Sequence, residues 1–502
     1  MVYPDMSMFA ELGRCHRRVP VTMEMEGDIE TPIALFRKLC PGGKSYLLES
    51  VEGGEKWGRY SFIGRRPFAE IVVHDNRVDF AQGSETTTQY GDVLRIVDSL
   101  VRGCKVAAFP GLPDFSGGAV GYFGYDIVRS YERLPGFKED DRELPDIHLM
   151  LTDELVVYDH LRQKVQLIVL APITADTEAD YAAATNRLES LRQEIENSRT
   201  VREERAVSQL STGFSSTETE ASYRRMVLKA KDYIQKGDIF QVVLSQRLAV
   251  ETDVDPFTTY RVLRSLNPSP YLFFIDFEDY QLVGSSPELL VKVKDDHVET
   301  CPIAGTRRRG RDAGEDAALA QELLDDEKER AEHLMLVDLG RNDLGKVSEF
   351  GTVEAKNLMH VEKYSHVMHI VTNVVGVLRK DCGMHQALQA CLPAGTLSGA
   401  PKVRAMEIID ELETKKRGPY AGAVGYLGFN GSMDVCITIR TLVFQGDTAY
   451  VQAGAGIVAD SQPAKEYEES LGKARALLEA IRQAEARSAP VAAESSPETK
   501  RQ

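Results

Sequence analysis

Two glutamates three apart, with a lysine four residues beyond the second, stand in the stretch KEYEESLGKA as Glu466, Glu469 and Lys473. On a helix at about 100° per residue, Tyr467, Leu471, Ala474, Leu478 and Ile481 form an apolar stripe, and Lys465, Glu468, Arg475 and Glu479 a solvent face. The three charges fall in a third sector, whose later positions are Ala476, Leu477, Ala480 and Ala484. They are either part of a solvated surface or one half of a metal and anion site. Ser461 is placed to cap this helix, which is expected to run to about residue 486. A second acid, Glu332 in AEHLMLVDLGRND, shares a helical face with Met335, Leu336 and Leu339. A carboxylate on a buried stripe is costly unless Arg330, Arg341 or a bound cation compensates it. Carboxylates without cysteine and without an HExxH pattern suit a hard divalent ion such as Mg2+, which often shares its coordination with an anionic ligand.

An anionic ligand needs donors. The stretch QAGAGIVADS presents Gly454 and Gly456 just before the acid-bearing helix, where backbone N–H groups can approach a carboxylate. Arg440, in CITIRTL, is read as lying in an otherwise apolar strand, which favours a buried pairing role. His366 and His369 are three apart on an expected strand and so point to opposite faces; at most one enters a given site, and either can be an ordinary core histidine. Other motifs fail. PGGKS ends like a phosphate loop, but Lys38 stands where its first glycine belongs and a strand follows. No GxSxG or GxCxG elbow supports a hydrolase or glutaminase nucleophile, and no dinucleotide fingerprint is present.

The whole-chain properties agree with a small-molecule enzyme. The 502 residues are 43% apolar and 27% charged, ordinary globular values that allow two or three domains or one composite core. A net charge of -17 argues against nucleic-acid or membrane-surface binding, so an anionic substrate needs a local positive trap. No apolar run reaches the roughly 18 residues of a membrane span, the longest near Leu167 being cut by Pro172. The N-terminal MVYPDMSMFAELGRCHRR has no export pattern, and a cytoplasmic protein is expected. Seven scattered cysteines with no CxxC pair argue against a disulfide framework and a thiolate zinc site.

The elements that must position these residues read as α+β. Residues 1–200 alternate strand-like runs with helices such as GDVLRIVDSLVRG and DTEADYAAATNRLESLRQEIENSR, with a hairpin turning at Asp75-Asn76. A Ser/Thr-rich charged stretch, 201–222, reads as a linker. Residues 223–486 hold long hairpins, one turning at Asn430-Gly431, with helices grouped between them, the mark of a mostly antiparallel architecture. The tail 487–502 is too poor in apolar residues to pack and is expected to be disordered. GGAVGYFGY at 117–125 echoes AGAVGYLGF at 421–429, either as equivalent strands in two similar layers or by chance.

The ordered set SYLLES, RYSFIG, GDIFQVVLSQR, NPSPYLFF, GSSPELLV, CPIAGTRRRG, EHLMLVDLGRNDLG, YSHVMH, LPAGTLSGAPK, GPYAGAVGY, AGAGIVADS and EYEESLGKA resembles the chorismate-utilising enzymes from about residue 30 to 485. Within them it is most similar to the branch that forms anthranilate. The resemblance implies two intertwined regions of orthogonally packed, mostly antiparallel sheets with helices outside. It implies amination of chorismate at C2 with loss of the C4 hydroxyl, then elimination of pyruvate to give anthranilate, the first step of tryptophan biosynthesis. By that resemblance Glu332 and Glu469 hold Mg2+, with Glu466 direct or through water. Gly454, Ala455, Gly456, Arg440, Tyr420 and Lys473 bind substrate carboxylates, and Gly305 and Thr306 contact the substrate. Glu288 of SSPE is the implied general acid at the C4 oxygen and needs a raised pKa; His369 assists the elimination.

Two positions separate close relatives. Gln241 stands where isochorismate- and salicylate-forming relatives have a water-activating lysine, and Ala304 where aminodeoxychorismate synthases commonly have a lysine in PIKGT. Ammonia attacking directly is therefore implied. With no glutaminase elbow in this chain, a separate glutamine amidotransferase subunit in a hetero-oligomer would supply it. Glu49 and Ser50 of LLES, with Pro270, Tyr271 and Leu272 of NPSPYL, resemble a tryptophan feedback site, and Tyr426 and Arg59 to Ser61 are further candidates for its walls. The alternatives are an aminodeoxychorismate synthase component I that has lost its lysine, and a non-catalytic tryptophan-binding relative.

Overall fold

Strands such as SYLLE and VQLIVLAP are apolar almost without interruption because both of their faces are covered. In the strand Ser45–Glu49, Tyr46 enters one core and Leu47 another; in Tyr271–Asp276, Phe273 and Ile275 enter the first, Leu272 and Phe274 the second. Successive side chains of a strand point to opposite faces, so one strand serves both cores. The first core lies between two sheets; the second packs one sheet against helices that include Pro32–Leu39, Thr177–Asn197, Pro256–Leu266 and Pro463–Ser488.

The computed structural model describes residues 2–52, 56–136, 138–198, 210–211, 213–364 and 367–488. Of the expected linker, 201–209 and 212 lie outside the described residues, as do His366 and the tail from 489. The described end of the linker contributes the short edge strand Ser215–Ser216, which pairs with Gln241–Glu251, and a helix already begins at Glu220 behind the cap Thr219. Among the described residues no helix is long and apolar enough to cross a membrane.

The described strands form a 13-stranded and a 12-stranded sheet, with a two-stranded ribbon. Each large sheet combines strands from both sides of residues 201–222. In the larger, Ser45–Glu49 pairs with Tyr271–Asp276; in the smaller, Gly118–Phe123 pairs with Ala423–Gly428, both antiparallel. That second seam corrects the expectation for the internal echo: the two glycine-bearing segments are neighbours in one sheet, Gly121 opposite Gly425, and not counterparts in two layers. A methyl on Gly121 would meet the His148 carbonyl oxygen at 1.9 Å, so the glycines permit the close approach of adjacent strands. The expected hairpins at Asp75-Asn76 and Asn430-Gly431 are present, Asp75 at φ 53° and Gly431 at φ 89°.

Two neighbouring strands change sheets side by side. The chain runs from Tyr280–Ser286 in the larger sheet through Pro287 and Glu288 into Leu289–Lys294 in the smaller. Its neighbour runs from Met433–Ile437 in the smaller sheet through Thr438–Arg440 into Thr441–Gln445 in the larger. The strands pair before and after the corner, and the corner itself is tied by Ile437 N donating to Glu288 O (3.0 Å) and Ser285 N donating to Arg440 O (3.1 Å). Strands that switch sheets at bends form the corners of packed sheets.

Candidate active site

Glu288 and Arg440 occupy that double corner. Arg440 is therefore not inside a strand, as CITIRTL suggested, but in the break between two, at φ 49°. A residue other than glycine in the left-handed region costs of order 1 kcal/mol or more and persists only where the surroundings impose it. The bend gives Arg440 its unusual position. Among the described residues no hydrogen bond or ion pair holds its guanidinium. Burial holds its pKa below the usual arginine value, opposed by the nearby Glu288 and Tyr364. A sheltered cation without a carboxylate partner is a seat for an anionic ligand.

Glu288 is buried, and burial pushes its carboxyl up to about 8, against the opposing influence of a Thr396 hydrogen bond and the charges of Arg440 and Lys473. Thr396 Oγ1 donates to Glu288 Oε1 at 3.1 Å; Oε2 has no such partner among the described residues. The group is therefore protonated at neutral pH, as an acid catalyst must be. Thr396 lies in LPAGTLSGAPK, a segment quoted above without any one residue being singled out, and only proximity in the fold reveals its contact with Glu288.

Two neighbouring strands at one edge of the smaller sheet bring in His369. The strand Ile303–Arg308 slips register against Val367–Val377 between Ala304 and Arg307, leaving Gly305, at φ 68°, and Thr306 in the irregularity. The Gly305 carbonyl lies 2.8 Å from His369 Nδ1, and Thr306 Oγ1 lies 3.1 Å from the same nitrogen. The carbonyl can only accept, so the proton sits on Nδ1 and Nε2 keeps its lone pair. Burial lowers the His369 pKa, which keeps the ring neutral. A cavity of about 30 Å3 joins His369 and Arg440 with Tyr364, Pro287, Asn267 and Ser269. Tyr364 and the Asn267–Ser269 segment were not singled out in the sequence as site residues.

Gly454, Ala455 and Gly456 lie on Thr448–Ile457, which pairs along its length with Gln241–Glu251. On its other side Thr441–Gln445 pairs only as far as Val451, because that strand leaves for the corner at Arg440. The edge beyond Val451 is thereby opened. The Gly454 carbonyl accepts from Lys473 Nζ at 3.1 Å, and a methyl on Gly456 would meet Gln241 Nε2 at 2.7 Å, so Gln241 rests on the glycine segment. Tyr420 is buried beneath Arg417, whose guanidinium lies 5.5 Å from its ring. Arg417 also donates to Leu397 O and Val243 O and forms a fully buried pair with Glu413. Removing one partner of such a pair typically costs about 3–5 kcal/mol, so the pair holds the segment before Tyr420 in place.

The helix carrying the acids begins at Pro463 and reaches Ser488. Ser461 does not cap it as expected: its hydroxyl accepts from Val458 N at 3.0 Å and engages the Glu466 carboxylate, while Gln462 O takes the Glu466 amide. Glu466 is half-buried. Glu469 is exposed and paired with Lys473 at 2.9 Å, each side chain about half exposed. Burial and the neighbouring charges of Glu329 and Glu469 raise the pKa of Glu332, and burial and Glu469 raise that of Glu466. The charges of these acids repel one another, and carboxylates are the ligand type that a hard divalent cation takes. Among the described residues, however, no three acidic, histidine or cysteine side chains stand close enough to share one ion.

The residues resembling a feedback site divide by strand alternation. Glu49 and its cross-strand partner Leu272 face the helices. The Glu49 carboxylate is buried and accepts from Tyr260 Oη (2.6 Å), Arg264 Nε (2.8 Å) and Ser61 Oγ (3.2 Å). Arg59 is likewise turned away, pairing with Asp159 at 3.1 Å. Tyr271 reaches across to the other sheet, donating to Asp434 at 2.9 Å. Asp434 pairs in register with Tyr426, whose ring stacks on Phe115 at 4.4 Å. Ser50 and Pro270 are partly buried beside the seam, where Val51 N donates to Ser269 O (3.2 Å).

Two sheets exchanging strands at a corner, with a buried acid and a sheltered arginine there, define an enzyme that handles a small anion. The family model described as chorismate binding enzyme matches residues 45–479, and the chain belongs to that family. It is 54% identical to anthranilate synthase component 1 of Acetivibrio thermocellus, over 96% of this chain and 99% of that protein. The crystal structure of anthranilate synthase component I from Streptococcus pneumoniae TIGR4 superposes with a TM-score of 0.74 at 42% identity, covering 84% of this chain and 92% of that one. The menaquinone-specific isochorismate synthase MenF of Escherichia coli shares the fold, with a TM-score of 0.70 at 18% identity over 95% and 99% of the two chains.

Proposed function

We propose that the chain converts chorismate and ammonia to anthranilate and pyruvate, with Mg2+, as the large subunit of a complex whose amidotransferase partner supplies the ammonia. The observation that carries this reading is the buried Glu288, its carboxyl pushed up to about 8, beside Arg440, whose guanidinium has no hydrogen-bond or ion-pair partner among the described residues. The full-length likeness to proteins named anthranilate synthase component 1 supports it.

Arg440, Tyr420 and the opened edge at Gly454–Gly456 hold the substrate carboxylates. Glu288 donates its proton to the C4 hydroxyl, so that the C4–O bond breaks with water as the leaving group while ammonia forms a bond to C2. Gln241, an amide, cannot serve as the base that would activate water in ammonia's place, and Ala304 offers no nucleophile. His369 Nε2 then takes the C2 proton as the C3–O bond breaks and the enolate of pyruvate departs, to be protonated at carbon by the imidazolium so formed. Glu332 and Glu469, with Glu466, would hold Mg2+, which when bound supplies Lewis-acid charge for the ring carboxylate. Tryptophan inhibits from the seam at Ser50, Pro270 and Tyr271, and the protein works in the cytoplasm.

The test is product fluorescence from chorismate, Mg2+ and ammonium, with and without tryptophan. Anthranilate formed without an added lyase supports the reading. Accumulation of an amino-chorismate, or tryptophan binding with no turnover, refutes it.

A further inference from the structure

Pro287 lines the cavity at His369 and Arg440, and its chain neighbour Glu288 lines another, of about 40 Å3, that shares no wall residue with the first. Its polar walls are Glu288, Thr300, Thr396 and Asp343, set among apolar neighbours that include Leu339 and Cys391. At about 10–15 Å3 of accessible space per water it has room for about three or four, and it offers polar partners to hold them. Its far wall leads outward: Asp343 pairs with Lys402 at 2.6 Å and with Lys346 at 3.1 Å, and the Lys346 side chain is 51% exposed.

We propose that this cavity is a water-filled inlet that returns a proton to Glu288 after each turnover, with Thr396 positioning the carboxyl between inlet and substrate. The inference rests on the anthranilate-forming reading. In that reaction Glu288 loses one proton as the C4–O bond breaks, and the ammonium group formed at C2 sheds one proton to solvent. The protons balance, but they are released and needed in different places. Of the cavities described above, this is the one that Glu288 lines. It is unsuited to carrying ammonia, a stronger base than the Glu288 carboxylate, which the protonated acid would convert to non-nucleophilic ammonium.

The experiment is rapid mixing of the intact chain with saturating chorismate, Mg2+ and ammonium at neutral pH, followed by anthranilate fluorescence. Cys391→Leu narrows the inlet, and Thr300→Val removes a water partner without changing its size. Each variant is expected to give a burst of about one product per site at the wild-type rate. A steady state at least tenfold slower should follow, with chorismate KM lowered in step and kcat/KM unchanged. A folded variant with unchanged steady-state rate, or one whose first turnover is slowed as much as the rest, overturns the inlet. If Cys391→Leu does not fold, Thr300→Val alone decides between these results. A wild-type chain that makes no anthranilate would instead fail the reaction assignment itself, and the inlet with it.

Discussion

Glu288 holds its proton because the corner that carries it lies between two sheets, where the charged form loses its hydration and, among the described residues, one hydrogen bond replaces it. Catalysis that uses this proton should fall as pH rises through about 8. Thr396→Val removes a bond that favours the ionised form, so it should move the alkaline limb of kcat to higher pH. Glu288→Gln should lower kcat by about 10²–10⁴ while chorismate still binds, measured by turnover and direct titration. Folding carries the same signature. Glu288 is held protonated to about 8 against an ordinary value of 4.5, so the folded chain binds more protons between these limits. Its contribution to stability is present below 4.5 and declines as pH rises towards 8; Glu288→Gln should flatten that part of the unfolding profile. Nothing in the spacing of SSPE announces this residue. It was reached through resemblance, because the environment that tunes it is assembled from segments over 100 residues apart.

Among the elements, the helix Pro463–Ser488 was the most legible and still differs in detail. Its existence and extent followed from periodicity, but the buried positions are Ser470, Ala474, Leu477, Ala480, Ile481, Ala484, Glu485 and Ser488, with Leu471 and Leu478 only half-buried and Glu469 and Lys473 exposed. The packed stripe is turned by about one position, towards Gln246, whose side chain donates to Ser470 Oγ at 2.7 Å. Glu469 consequently faces solvent and Lys473. If it serves the metal, Glu469→Gln should abolish turnover at ordinary Mg2+ while tryptophan binding survives, and unchanged activity would remove it from that role. Arg440 was misplaced for a different reason. A strand that leaves its sheet keeps an apolar sequence on both sides of the bend, so composition cannot mark the bend. The left-handed backbone at Arg440 is visible only in three dimensions.

For the molecule as a whole, sequence pattern gave antiparallel α+β architecture through hairpins and helix groups, because those are local. It did not give the splicing of each sheet from both halves of the chain, since pairing such as Leu48 with Phe273 depends on contacts across more than 200 residues. The proposed feedback site sits on that seam. A methyl on Gly58 would lie 2.7 Å from Ser50 Cβ, leaving no slack around this side chain. Ser50→Phe should therefore relieve tryptophan inhibition with little loss of uninhibited rate, and retained inhibition would place the pocket elsewhere. Tryptophan can act only by binding two arrangements unequally.

The side-by-side corners at Glu288 and Arg440 are hinges common to two plates. If one plate slides on the other, the acid and the arginine change their spacing before any residue in either plate's interior has to repack. An effector wedged far along the junction would then govern the chemistry through alignment alone, without approaching the substrate.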